Sequence, residues 1–396
     1  MRLTALSAKL SATSHDAREQ AEISRRTSRR DREGAKAILI FSVNQSLCPS
    51  AALCVMLFSA ISALAAVQQS ARPAAPLDPI DAILGAFKNH AIVALSEGEH
   101  NNEPSHAFRL ALIRDPRFAA TVNDIVVEWG TARYQDVLDR FIRGESVADA
   151  ELRRVWQDTT QAHQVWDVPI YEAFFRAVRT INGSLPPARQ LRVLAGDPPI
   201  EWEKIRTRQQ TIDVERDRFA ADLIQREVLA KQRRALLVWG GTHFIRRSVV
   251  GDAARTPSSI VGLLGPATQS AIFSIWAHTS GVELTSLQPD IASWRVPAMA
   301  MTRGTTLGDA PYRSYIIAKG GDGPRMEDQF DAVLYLGPLS SITYARLAPS
   351  LCADDQYMKM RLGRLAIADP PELPVPPGVL RPADRLKRQC DSVSGK

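Results

Sequence analysis

Short apolar runs recur along the chain, separated by longer segments in which apolar residues return every three or four positions. The runs are Ala-Ile-Val-Ala-Leu at 91–95, Asp-Ile-Val-Val-Glu at 124–128, Leu-Arg-Val-Leu-Ala at 191–195, Ala-Leu-Leu-Val-Trp at 235–239, Ala-Ile-Phe-Ser-Ile-Trp at 271–276 and Ala-Val-Leu-Tyr-Leu at 332–336. Each is brief, continuous and rich in β-branched or aromatic residues, as a strand buried on both faces would be. Helical periodicity predicts helices over residues 80–88, 106–113, 134–143, 170–181 and 214–231. Strands alternating with helices imply an α/β fold with a mostly parallel central sheet flanked by helices. The stretch 147–180 is longer than one crossover needs and carries Trp156, Trp166 and Tyr171, so it reads as a helical insertion over the carboxyl edge of the strands. Between 304 and 324 the pattern changes to turns and a strand-like Tyr-Ile-Ile-Ala. The Gly-Gly-Asp-Gly at 320–323 reads as a hairpin turn, because no Lys-Ser/Thr pair opens a helix after it.

The amino-terminal pattern is different. No residue from Ala37 to Val67 is charged, a dense apolar stretch begins at Ala51, and the basic run Arg25-Arg26-Thr27-Ser28-Arg29-Arg30 precedes it. That layout, closed by the small-residue site Ala63-Leu64-Ala65, predicts a secretory signal cut before Ala66 or one residue on. An uncleaved membrane anchor is the alternative, although the run falls just short of the ~20 apolar residues a spanning helix needs. The expected organisation is a signal peptide over 1–65, a Pro/Ala/Gln linker over 66–78, an α/β domain over 79–350 and a Pro-rich tail over 351–396. The expected location is the periplasm or the exterior.

Composition narrows the classes. The chain has 396 residues, 45% hydrophobic and 23% charged, which excludes a disordered or collagen-like molecule. Its net charge is +6, but residues 1–66 hold nine Lys/Arg against five Asp/Glu, leaving +2 for the rest. With no basic block interleaved with aromatics, no nucleic-acid partner is expected. A membrane partner is expected only through an uncleaved leader, and the expected ligand is a small molecule. Of four cysteines, Cys48 and Cys54 leave with the signal, so an exported chain keeps Cys352 and Cys390. They form either one disulfide tying the Pro-rich tail to the body, or two unpaired thiols.

Candidate chemistry collects where the strands end. The first strand runs into Ser96-Glu97-Gly98-Glu99-His100, the second into Glu128, the third into Gly196-Asp197, the fourth into Gly240-Gly241-Thr242-His243 and the fifth into His278. In a parallel sheet those ends share one edge, where α/β proteins bind ligands. His106 joins them if Pro104 opens the next helix; His90 and His163 have no such placement. Imidazole titrates near neutrality, and a carboxylate neighbour raises its basicity and fixes its tautomer, so Glu97 and His100 on one loop suit proton transfer. Asp197 and Glu128 could instead cap the helices that follow them, and His278 could equally be a core histidine. There is no G-x-S-x-G elbow, C-x-x-C, H-E-x-x-H or P-loop, and Ser96 lacks the flanking glycines of an elbow. Hydrolysis would therefore use an activated water.

Leu-Ser-Glu-Gly-Glu-His at 95–100, Glu128 followed by a helix opening Arg-Tyr-Gln, the Val-Trp-Asp-Val-Pro-Ile-Tyr-Glu-Ala-Phe-Phe-Arg stretch from Val165 and Gly-Gly-Thr-His at 240–243 resemble the erythromycin esterase-like and ChaN-like superfamily. The resemblance spans roughly residues 80–340, and one departure is Ser96, where the family has glycine. It implies one of three activities: lactone opening by an activated water without metal, with Glu97, His100, Glu128 and His243 at the family's site positions; metal-dependent peptide hydrolysis; or haem binding. The leading expectation is an exported hydrolase of an ester, lactone or amide. His100 would deprotonate water, Glu97 would orient it, and His243 with Arg133 would stabilise the oxyanion. Arg133, His106, Asp197 and His278 are the expected substrate contacts, under a roof containing Trp166 and Tyr171. No cofactor is required by this reading. In the alternatives a divalent metal sits on Glu97, His100, Glu128 and His243, or haem occupies the same edge.

Overall fold

A computed structural model describes residues 71–247, 258–279, 283–312 and 324–394. The expected signal peptide and the glycine-rich hairpin lie outside these residues. Seven strands form one sheet: β1 (Ile92–Ser96), β2 (Asp124–Thr131), β3 (Arg192–Asp197), β4 (Ala235–Trp239), β5 (Ile272–His278), β6 (Ala298–Met301) and β7 (Ala332–Tyr335). Their spatial order is β3-β2-β4-β1-β5-β7-β6. All pairings are parallel except β6 with β7. The α/β reading is correct, and β6 is an addition to it: Ala-Met-Ala-Met is too short and too weakly β-branched to stand out as a strand.

The strands alternate their side chains between two cores. On one face lie Val93, Leu95, Val127, Leu236 and Ile275; on the other lie Ile92, Ala94, Val126, Leu237 and Trp276. The first face is covered by α1 (Pro79–Ala86), α2 (Glu103–Arg114), α3 (Gln135–Ile142), α4 (Asp149–Gln157) and α5 (Pro169–Gly183). The second is covered by α6 (Arg216–Ile224) and the turns after it. Burial on both sides explains why the strands read as unbroken apolar runs.

Helix starts follow their caps. Asp78 accepts the Asp81 N–H ahead of Pro79, and Asn102 accepts the Ser105 N–H at 2.7 Å with Pro104 in the first turn. The expected insertion consists of α4 and α5, which pack on the sheet face, whereas the loop between them, residues 158–168, reaches the strands' carboxyl edge. Part of the expected linker is joined to the sheet margin, because Leu77 exchanges two backbone hydrogen bonds with Met299. The tail is also structured. Two helices, α7 (Asp355–Ala368) and α8 (Pro382–Ser394), pack back on the body, and a Cys352–Cys390 disulfide joins the turn before α7 to α8. The buried Arg361 of α7 donates twice to Asp167, and the hydroxyl of Tyr357 donates to the same carboxylate at 2.6 Å.

Candidate active site

Parallel pairing extends one residue past β1, where the Glu97 N–H donates to the Trp239 carbonyl at 2.8 Å. The chain then turns sharply through Gly98, at φ +74°, and Asn101, at φ +67°. A Cβ on Gly98 would lie 2.0 Å from the Thr279 hydroxyl, so only glycine fits this turn. Ser96, which replaces the expected glycine, is fully buried and its hydroxyl accepts the Gly98 N–H at 3.0 Å. It shapes the loop.

That loop brings Glu97 and His100 together. Glu97, 1% exposed, accepts from His100 Nδ1 at 2.5 Å through one oxygen and from Arg109 Nη1 at 2.6 Å through the other. With Nδ1 committed to Glu97, the Nε2 nitrogen of the neutral imidazole carries the lone pair. His100 keeps 34% of its side-chain surface and borders a cavity of about 1390 Å³. Burial opposes its protonation, but the Glu97 carboxylate outweighs that and raises its pKa above the ordinary 6.5. Trp166 meets the imidazole edge-on at 4.5 Å between centroids. Tyr171 accepts the Asn101 N–H at 3.0 Å and points its hydroxyl at Glu97. The expected aromatic roof thus lies beside the Glu97–His100 pair, and the same two residues belong to the core.

Glu128 arrives from β2 at a register shift. Pairing with β3 jumps from Val127↔Ala195 to Thr131↔Asp197, and such a bulge re-aims a strand's side chains. One Glu128 oxygen accepts from Arg216 Nη2 at 2.9 Å and lies 3.4 Å from His243 Nε2; the other accepts the Gly240 N–H at 2.9 Å. Burial alone would raise its pKa, but His243 and Arg216 hold it well below the carboxylate range. His243 follows β4 in a short helical turn, Gly241–Phe244, with Nδ1 2.5 Å from Asp217. Burial would lower its pKa; Glu128 and Asp217 instead lift it to about 9. His243 is therefore a fixed cation at neutral pH, with each ring nitrogen facing a carboxylate. Gly240 marks the convergence, since a Cβ there would lie 3.4 Å from His100 Cε1, 3.6 Å from His243 Cδ2 and 3.8 Å from Glu128 Oε2.

The four expected substrate contacts each have partners of their own in the fold. Arg133 donates to the Ile200 carbonyl at 3.0 Å and forks onto Glu203, because the short helical turn after β2 directs it along the protein surface. It is not a partner of His243. Asp197 accepts from the Thr160 N–H and hydroxyl and from Arg216 Nε, so it anchors the 158–168 loop and caps no helix. His278 is fully buried, stacked on Tyr335 and edge-on to Trp276, the core alternative. His106 is buried on α2, where desolvation and the nearby Arg109 and Arg114 charges push its pKa down to about 3, so it stays neutral.

Three ionic residues escaped the sequence reading. Arg109 sits three residues beyond His106 on the same helix face, Asp217 lies in the first turn of α6, and Arg216 bridges Glu128 and Asp197. Each resembles an ordinary charge on an amphipathic helix.

Donor atoms of Glu97, His100 and Glu128 all lie within 4.8 Å of one another, close enough for one divalent ion. Both Glu97 oxygens are engaged by His100 and Arg109, both Glu128 oxygens by Arg216, His243 and the Gly240 N–H. A metal held there would share these carboxylates with their present partners.

No protein-family profile and no curated protein matches the chain. Solved structures do match. A succinoglycan biosynthesis protein is 10% identical, with 68% of this chain and 96% of its own covered and a TM-score of 0.49. The erythromycin esterase EreC, in an open conformation, is 13% identical, with 65% and 93% covered and a TM-score of 0.45. ChaN of Campylobacter jejuni, which binds haem, is 14% identical, with 52% and 89% covered and a TM-score of 0.31. The likeness is one of fold.

Proposed function

We propose that the protein is an exported hydrolase of esters, lactones or amides that activates water with His100. The observation that carries this reading is the Glu97–His100 pair: a buried carboxylate, fixed by Arg109, holds one imidazole nitrogen of a histidine that borders a large cavity. In the proposed reaction His100 Nε2 takes a proton from water as the oxygen attacks the carbonyl carbon. Glu97 stabilises the imidazolium that forms. The tetrahedral oxyanion develops beside the His243 charge, and the imidazolium returns its proton to the departing oxygen or nitrogen. His243 contributes as a fixed positive charge, because its ring nitrogens already face Asp217 and Glu128. Export is supported by the Cys352–Cys390 disulfide and the leader pattern.

The test is hydrolysis of a panel of aryl esters and lactones by the purified protein and by His100→Ala. Turnover that falls about 10²–10⁴-fold in the variant supports the reading; equal rates refute it. Activity should survive chelation by EDTA, whereas loss on chelation and recovery with zinc or manganese would favour metal-dependent hydrolysis. A Soret band on adding haemin, with no turnover of any substrate, would move the assignment to haem binding.

A further inference from the structure

The cavity bordered by His100 is not an apolar slot. Of its about 1390 Å³, one side is the 158–168 loop, another the segment 343–347 and a third α8. Gln161, Gln164, Thr343, Gln389 and Ser392 line it, so its walls are rich in amides and hydroxyls. Gln164 donates to Gln389 at 2.6 Å, joining the loop to α8. Two exposed arginines, Arg346 and Arg385, are also among the lining residues, and neither is in an ion pair among the described residues. Arg109, Arg216 and Arg361 are by contrast engaged, by Glu97, by Glu128 and Asp197, and by Asp167. Glu103 is the one acid among the lining residues. His163, also in the lining, is held towards neutrality by burial and by the Arg385 and Arg361 charges. The wall therefore carries a net charge near +1, which matches a monoanion better than a dianionic phosphate.

We propose that the substrate is a polar molecule bearing a carboxylate remote from its scissile bond, and that Arg346 and Arg385 hold this carboxylate while His100 faces the carbonyl. The assignment rests on the hydrolase reading for the scissile bond but not for the anion site. Guanidinium groups suit the task because they donate two parallel hydrogen bonds to a carboxylate. It also gives α8 a purpose: the helix carrying Arg385, Gln389 and Ser392 is the specificity wall, clamped by the disulfide through Cys390.

Two measurements separate the claims. The first compares kcat/KM for mono-para-nitrophenyl glutarate and para-nitrophenyl pentanoate, which differ by the terminal carboxylate. Wild type should prefer the anionic ester by about tenfold, mainly through KM, and the ratio should fall towards unity in the Arg346→Gln/Arg385→Gln double variant. The second is calorimetric titration of the His100→Ala protein with glutaramate, and with pentanamide as the neutral control. Saturable binding of glutaramate alone, abolished when both arginines are replaced, supports the anion site even if no ester is turned over. Hydrolysis without preference for the anionic ester, together with no binding of glutaramate, overturns the site and leaves the hydrolase standing.

Discussion

A histidine that accepts a proton from water must be neutral, and one that steadies an oxyanion by its charge must be protonated. His100 has one carboxylate in contact and is partly open to solvent, whereas His243 lies between two and is lifted to about 9. The rate should accordingly rise as pH climbs through the raised pKa of His100, which then loses its proton, and fall near 9 as His243 loses its own. A bell-shaped kcat/KM profile with those limbs is the expected result, and a flat profile between pH 6 and 10 would count against both assignments. The His243 proton also links pH to stability. Its folded pKa is raised, so this contribution is complete below the unfolded value of 6.5 and is lost as pH rises through about 9. Asp217→Asn should remove part of it, seen as a smaller fall in Tm between pH 6 and 9 than in wild type. His106 acts in the opposite sense: its pKa is lowered to about 3, so its contribution is lost as pH falls below 6.5.

Elements carry these residues to their places, and the turn after β1 is the tightest constraint. Gly98→Ala would press a methyl group against Thr279 in a left-handed conformation, and is expected to cost about 1–3 kcal/mol and to lower activity by displacing Glu97 and His100 together. Chemical denaturation with parallel activity assays checks this. Cys352 and Cys390 are 38 residues apart, so reduction should destabilise the fold by about 3–4 kcal/mol, read as a lower Tm with dithiothreitol. The strands and several helices were legible because burial on both faces writes continuous apolar runs, and because Pro104 announces a helix start. What the sequence did not display is which charge meets which. Arg109, Arg216 and Asp217 have the spacing of surface residues, and only the packing of α2 and α6 against the sheet turns them towards Glu97, Glu128 and His243. Arg133 shows the reverse: near Glu128 in sequence, it is drawn away by Glu203.

At the scale of the whole molecule, strand direction is what assembles the candidate centre. β1, β2 and β4 lie side by side and run the same way, so residues separated by well over a hundred positions meet above Gly240. Among the described residues no helix is long and apolar enough to cross a membrane. If the centre works as one unit, its histidines cannot contribute independently. The direct measurement is a double-mutant cycle on ester hydrolysis with His100→Ala, His243→Ala and the double variant. A double variant little slower than the worse single one is expected, since removing either residue disables the same step. Losses that multiply, as they do for separate and unconnected sites, would contradict the shared centre.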